Sequence, residues 1–143
     1  MSFVDTRSVL EQRLRNGWTR TPIRWQAVPF TIPADVHGNL QPYVAFTLRN
    51  GAAEDLVLGS NNPEWRFYGV VIVSIFVPEQ TGLGLATFYG DLIKTIYLQT
   101  PRAFTYLNSG VIRLFVPQVT EVGTVAGWEQ VNVITGFRRD ARS

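Results

Sequence analysis

The stretch that decides the fold is residues 67–77, which read Phe67-Tyr68-Gly69-Val70-Val71-Ile72-Val73-Ser74-Ile75-Phe76-Val77. The run is apolar at almost every position, whereas a strand with one solvated face alternates apolar and polar residues. It therefore predicts a strand that needs a cover on both faces. We expect a helix that follows in the sequence to cover one face. In a chain of 143 residues something else must cover part of the other face, and a second copy of the chain is one candidate.

Two amphipathic helices flank this strand in the sequence. Ser2 and Asp5 have the spacing of a capping box, in which each side chain satisfies a free backbone donor at a helix start. An apolar stripe that includes Leu10 and Leu14 follows, which predicts a helix over about residues 3–16. Apolar residues at helical spacing predict the second helix over about residues 82–99.

The remaining pattern predicts strands in consecutive, loop-connected pairs. We predict strands over residues 43–48, 55–58, 65–77, 111–116 and 128–137. A turn is predicted at Asn50-Gly51, and a loop over residues 117–127. This order predicts an α+β fold, with a mostly antiparallel sheet of about four to five strands and two helices packed on one side.

The chain is predicted to be one domain over residues 1–143, with residues 137–143 as a flexible tail. Four prolines punctuate residues 18–42 and make that segment extended instead of helical. Trp18, Trp25 and Phe30 are expected to hold it against the core. The sequence around His37 is typical of an exposed turn.

Composition limits the chemistry that the chain can perform. It has no cysteine and one histidine, which excludes disulfides, thiolate metal sites and the usual zinc sites. His37 lies in a turn-like context without a nucleophile motif, and the adjacent acidic pair Glu54-Asp55 is typical of a solvated turn. The glycines of Gly82-Leu83-Gly84 lack the rest of a nucleotide-binding loop. We predict no catalytic, cofactor-binding or metal-binding residues, and hence no enzyme.

The basic residues are almost all arginine. Twelve arginines stand against one lysine, although the net charge is only +2. They are concentrated in residues 1–24 and 138–142. Arginine favours bidentate pairing with carboxylates and stacking on aromatic rings, so it suits protein interfaces as well as phosphates. We select Arg24, Trp65, Arg66, Arg113 and Trp128 as candidate interface residues.

Several motifs together resemble the tail terminator-like proteins of long-tailed bacteriophages. The sharpest is Pro-x-x-Trp-x-x-x-Pro-Phe, formed by Pro22, Trp25, Pro29 and Phe30. The N-terminal helix resembles that family too, as do residues 42–44, 66–69, 81–84 and 127–130. The resemblance covers nearly the whole chain, although related neck and minor tail proteins share the fold.

The resemblance implies a structural protein of phage morphogenesis with no cofactor. Such a protein forms a ring, expected to be a hexamer, that caps the tail tube, ends its polymerisation and offers a surface for head–tail joining. Its partners are then its own copies, the tail tube protein and head–tail connector proteins. Nucleic acid at most passes through a central channel. The location is the tail or neck of a virion, assembled in the cytoplasm of a bacterial host, or a prophage remnant.

Two alternatives remain open at this point. The first is a nucleic-acid-binding module that uses the arginine-rich N-terminus and C-terminal tail. The second is another neck or minor tail protein of the same fold.

The sequence shows neither a secretory signal nor a stretch long enough to span a membrane, so we expect a soluble, cytoplasmic protein without a membrane partner. Within the assembly reading, subunit contacts are expected at strand edges and near residues 51–66 and 117–127.

Overall fold

The computed structural model of the chain describes residues 3–55, 64–99, 103–106 and 110–142. Its elements, in chain order, are α1 (Phe3–Gly17), β1 (Ile23–Arg24), β2 (Tyr43–Asp55), β3 (Glu64–Pro78), α2 (Leu83–Leu98), β4 (Ala103–Tyr106), β5 (Gly110–Leu114), β6 (Gln118–Val125) and β7 (Trp128–Arg142). A short 3-10 turn at Glu79–Thr81 joins β3 to α2. Both helices and the long apolar strand lie where their periodicity predicts them.

One sheet contains all the strands of the described residues. Its order is β1-β2-β3-β7-β5-β4, and β6 pairs with β7 beside β5. Only β1 pairs in parallel, with β2; the other pairings are antiparallel. The long strand β3 is central, because it pairs with β2 on one side and along its whole length with β7 on the other.

The core lies between one face of this sheet and the two helices. Phe46 of β2 is opposite Val73 of β3, which is opposite Val133 of β7, and all three are at most 1% exposed. Leu10 of α1 and Ile93 of α2 pack against the same cluster. We call this side of the sheet the covered face. The predicted class, a mostly antiparallel α+β fold with two helices on one side, is confirmed, although the sheet has more than four to five strands.

The helices are also joined to each other. The Arg13 guanidinium donates from Nε to the Ile96 carbonyl at 3.1 Å, and also to the Gln99 carbonyl, at the C-terminal end of α2. A cation at this position interacts favourably with the free carbonyls of a helix end. The buried Tyr97 hydroxyl lies 3.4 Å from the Leu10 carbonyl oxygen, to which it donates, and burial raises the pKa of this phenol.

The proline-rich segment wraps around the β1 edge of the sheet. Trp18 is 3% exposed, and Trp25 packs against Phe46 on the covered face at 5.5 Å between ring centroids. Phe30 then lies against Tyr43 on the opposite face at 5.2 Å. The aromatic residues therefore hold the segment on the core as predicted. His37 follows in an exposed turn that Asp35 stabilises by accepting backbone hydrogen bonds.

The predicted end of strand β2 and the predicted turn after it are wrong, and a predicted short strand lies almost wholly outside the described residues. The strand does not end before Asn50-Gly51 but continues to Asp55, with a shift of register between Asn50 and Ala53. The Asn-Gly pair therefore lies in a bulge, because the ladder to β3 outweighs the local preference for a turn. The predicted short strand at residues 55–58 overlaps β2 only at its first residue, and residues 56–63 lie outside the described part.

Two further predictions are wrong in the C-terminal part of the chain. Residues 118–125, predicted within a loop, form strand β6, which is exposed over most of its length. Residues 137–142, predicted as a flexible tail, form the end of β7 and pair with both β3 and β5. Pairing on both sides fixes the backbone of this segment in spite of its polar composition.

Candidate assembly surface

The face of the sheet opposite the two described helices is the candidate functional surface, and we call it the open face. Side chains of alternate residues point to opposite faces of a strand, so the register assigns each paired residue to one face. Ile72, Ser74 and Asn132 on the open face are partly exposed, whereas Val71 and Val73 on the covered face are 0% exposed. The open face is thus only half-buried by contacts within the chain.

An aromatic cluster occupies one end of the open face. Tyr43 stacks on Phe76 at 4.9 Å and meets Trp128 edge to face at 5.3 Å. Phe30 of the proline-rich segment packs against the same tyrosine. The cluster therefore covers itself in large part, and Trp128 keeps only part of its surface free.

The middle of the open face has no charged side chain along its two central rows. One row runs Ala45, Ser74, Asn132 across β2, β3 and β7, and the next runs Thr47, Ile72, Ile134. All six side chains are partly exposed. Charged residues are depleted in the buried core of protein–protein interfaces, and this uncharged centre shares that feature.

Arginines occupy the other end, which we call the basic end. They are Arg49 of β2, Arg66 of β3, Arg113 of β5 and Arg138 of β7. Among the open-face side chains that the structure describes there, the one carboxylate is Asp140. Register brings these residues together from four strands that are distant in the sequence.

Asp140 is engaged by one arginine. Arg66 donates to both of its oxygens, from Nε at 2.8 Å and from a terminal nitrogen at 3.3 Å, in the bidentate geometry that gives the strongest ion pairs. The hydrogen bond to Asp140 raises the pKa of Arg66. On β2 the residue opposite Arg66 is Glu54. Arg66 therefore has acidic positions beside it on both neighbouring strands.

The other three arginines lack such a partner. Arg113 lies directly opposite Arg138 in the antiparallel ladder, where like charges repel. The Nε of Arg138 is buried without a hydrogen-bond partner. Arg49 and Arg113 are exposed. No ion pair joins any of the three to a carboxylate among the described side chains.

A shallow concavity of about 240 Å³ lies beside Arg49, where the bulge of β2 separates the strands. The residues lining it are Arg49, Asn50, Gly51, Tyr68, Gly69 and Val70. Its surface is mainly apolar, and Tyr68 at its side is 37% exposed. The basic end thus combines positive charge with an apolar depression that a side chain can enter.

The structure places four of the five predicted interface residues on one face. Arg66 and Arg113 lie at the basic end, Trp128 lies in the aromatic cluster, and Arg24 of β1 is exposed beside Ala45. For Trp65 the structure describes the backbone, which pairs with Asp55 and Ala141. Sequence reasoning missed Arg49 and Arg138. Each lies on a strand that pairs with the strand of a selected arginine, and the sequence alone does not reveal this pairing.

The arginine-rich N-terminal segment forms no common surface with the C-terminal one. Its arginines are engaged separately: Arg7 donates to Gln26, Arg13 caps α2, Arg15 lies over Trp25 and Arg20 lies over Phe88. At the C-terminal end, Arg139 is buried on the covered face, where it donates to Thr6 at 2.7 Å and lies over the Phe67 ring. The arginines that remain accessible on one surface are those of the basic end.

Within the described residues, no group of three or more histidine, cysteine, aspartate or glutamate side chains is placed to hold a metal ion. None of the described helices is both long enough and apolar enough to cross a membrane.

Comparison with known proteins supports the fold. No family model matches the chain, and no curated protein matches it. Nine chains of solved structures match it. One of these, whose name states no function, superposes with a TM-score of 0.69 at 18% identity, over 96% of this chain and 95% of its own. At this identity the likeness establishes a shared fold over the full length.

Proposed function

We propose that the protein is a structural assembly protein of a long-tailed bacteriophage, of the tail terminator type. In this proposal copies of the chain form a ring that caps the tail tube and ends its polymerisation. The ring then presents its opposite side to the head–tail connector. The proposal rests on the resemblance of the motifs, from the N-terminal helix to residues 127–130, and on one structural observation.

That observation is the open face of the sheet. Both described helices lie on the covered face, while the open face exposes an apolar and polar centre between an aromatic cluster and a basic end. A protein partner on this face would bury side chains such as Ile72 and Ile134 that the chain alone leaves partly exposed. The apolar run that decides the fold needs a cover on both faces, and assembly would provide the second one.

A closed ring also fits the function of a terminator. An interface that joins two different patches of the same protein closes into a ring when its rotation closes, and continues as a filament when it does not. A terminator must bind the end of a growing tube and yet leave its far side unable to bind the next tube subunit. A closed ring with two different sides meets both requirements.

The decisive experiment combines mass measurement with electron microscopy. The purified chain is first weighed in solution over a wide concentration range, and it is then mixed with tail tubes of a long-tailed phage of the same host. A ring seated at one tube end, together with tubes that no longer elongate, supports the proposal. A chain that stays monomeric and leaves the tubes open and growing contradicts it.

A further inference from the structure

The basic end carries unbalanced positive charge. Arg49, Arg113 and Arg138, which we call the arginine group, lie on one face of the sheet without an ion-pair partner among the described side chains. The pairing of Arg113 opposite Arg138 is unfavourable unless an anion lies against it. The arginine group therefore points to an acidic ligand that comes from outside the chain.

The opposite end of the same sheet carries unbalanced negative charge. Glu79, Glu121 and Glu129, which we call the acidic end, lie around the hairpin that joins β6 to β7. The Glu79 backbone amide donates to Gly127 in the hairpin turn at 3.0 Å, and register places Glu121 opposite Val131, two residues beyond Glu129. Two of the three accept a hydrogen bond from a hydroxyl group: Glu121 from Thr87 and Glu129 from Thr124.

Within one chain the two ends are too far apart to neutralise each other. Glu129 is the second residue of strand β7 and Arg138 lies near its end, so Arg138 is nine residues of extended backbone further on, about 30 Å at 3.3 Å per residue. At physiological salt the interaction between exposed charges is screened over about 8 Å. The rigid strand that links the two ends also prevents them from approaching each other.

We infer that the acidic end of one copy docks on the arginine group of the next copy, in a head-to-tail contact that repeats around the ring. The contact pairs the hairpin end of one sheet with the open face of the neighbouring sheet. It uses two different patches, as a closing ring requires. This inference rests on the proposed function, because it names the partner of the surface that the function requires.

A second copy fits the arginine group better than a nucleic acid does. Asp140 lies at the same end of the sheet, and Arg66 already occupies both of its oxygens, so the arginine group is a short cluster of three cations and not the extended basic stripe typical of nucleic-acid binding. Individual carboxylates on a hairpin can instead reach Arg49 and Arg113 and leave Asp140 with Arg66. Exposed Val122 and Val125 of the same hairpin add apolar surface that could enter the concavity beside Arg49.

The test uses two charge-reversed variants that are complementary to each other. The first, Arg49→Glu with Arg113→Glu, makes both ends of the chain negative. The second, Glu79→Arg with Glu121→Arg, makes both ends positive. All four positions are exposed, so the variants are expected to fold, which circular dichroism and thermal melting check.

Each variant alone is expected to assemble at least about tenfold more weakly than the wild type, since like charges then face each other. An equimolar mixture of the two is expected to assemble again, because every contact then joins a negative end to a positive one. Mass photometry of the single and mixed samples, at low and at high salt, with and without tail tubes, measures both effects. The matched control is Arg15→Glu with Arg20→Glu, which changes the net charge equally and is expected to assemble as the wild type does.

Other outcomes overturn the inference in distinguishable ways. If the wild type caps tubes and both variants do so equally well, the contact is elsewhere and the proposed function survives. If both variants fail and their mixture also fails, the two ends do not meet each other. If a labelled DNA duplex binds the wild-type monomer and the first variant loses that binding, the ligand of the arginine group is a phosphate backbone. If the wild type neither assembles nor caps tubes, both proposals fail together.

Discussion

Replacement of Gly69 by alanine is expected to lower the free energy of unfolding by about 2 kcal/mol. A Cβ atom at this position would lie 2.5 Å from Cζ of Phe137 and 2.7 Å from the carbonyl oxygen of Arg49. Phe137 is 1% exposed and packs into the space that the missing side chain leaves. The carbonyl belongs to the backbone of β2, which pairs with β3 at this point. Neither neighbour can withdraw without disturbing the sheet.

Two opposing effects set the magnitude. Overpacking in a well-packed interior costs about 1–3 kcal/mol, and the upper part of that range applies where backbone is one of the obstacles. Alanine also restricts the unfolded chain, which stabilises the folded state by about 0.4–1 kcal/mol. The net loss of about 2 kcal/mol corresponds to a fall in melting temperature of roughly 8 °C for a domain of this size.

Equilibrium unfolding in urea, followed by tryptophan fluorescence, measures the change, with Gly84→Ala as the matched control. Nothing lies within 4 Å of a Cβ at Gly84, which is in helix α2, so alanine there is expected to stabilise the chain by about 0.5–1 kcal/mol. A Gly69→Ala protein as stable as the wild type would refute the claim that Phe137 and the β2 backbone are fixed. It would also show that the concavity beside Arg49 can change its shape.

Three further predictions follow from local geometry. Ala126 has φ of 50° in the two-residue turn between β6 and β7, so Ala126→Asn is expected to raise the free energy of unfolding by about 1 kcal/mol in a urea titration. Hydrogen bonds, first that from the Asn39 backbone, lower the pKa of Asp35, so this carboxylate contributes stability above its unfolded pKa and loses it as pH falls through its folded pKa. The melting temperatures of the wild type and Asp35→Ala should therefore differ at neutral pH and converge in acid; a constant difference would contradict this. Finally, Arg113→Gln removes the repulsion from Arg138 and should stabilise the isolated chain by about 0.2–1 kcal/mol while weakening its assembly, as melting and mass photometry will show.

The elements with a strong apolar period could be predicted from the sequence. Strand β3 has an unbroken apolar run because its buried residues, such as Val73, alternate with half-buried ones such as Ile72, instead of with charged ones. Helices α1 and α2 present one apolar face each, so their bounds were predicted within one or two residues. In these elements burial by distant parts of the chain agrees with the local pattern.

The wrongly predicted elements are those whose structure depends on pairing between strands alone. Strand β6 is largely exposed, so it lacks the alternation that identifies a strand. The end of β7 contains Arg138, Arg139 and Asp140, which favour a solvated tail, yet β3 and β5 pair with it on both sides. Asn50-Gly51 is a strong local turn signal that the β2–β3 ladder overrides. Pairing between distant strands is not encoded in any short window of sequence.

The candidate surface shows the same division. The residue types that favour an interface could be chosen from the sequence, but their position on a common face follows only from register. Arg49 and Arg138 were not selected, although Arg66 and Arg113 on neighbouring strands were. A shift of one residue in any pairing would send an arginine to the covered face. The composition of the surface was therefore predictable, and its geometry was not.

The opposed arginines also bear on what the surface is for. A chain that only had to fold would gain stability from almost any uncharged side chain in place of Arg113, because its direct neighbour in the ladder is Arg138. Proteins accept such local costs where a site needs them for function. A contact with the carboxylates of a neighbouring copy would turn this repulsion into attraction at the moment of assembly. Under the proposed head-to-tail contact, the repulsion between Arg113 and Arg138 in the isolated chain would therefore be relieved when the next subunit binds.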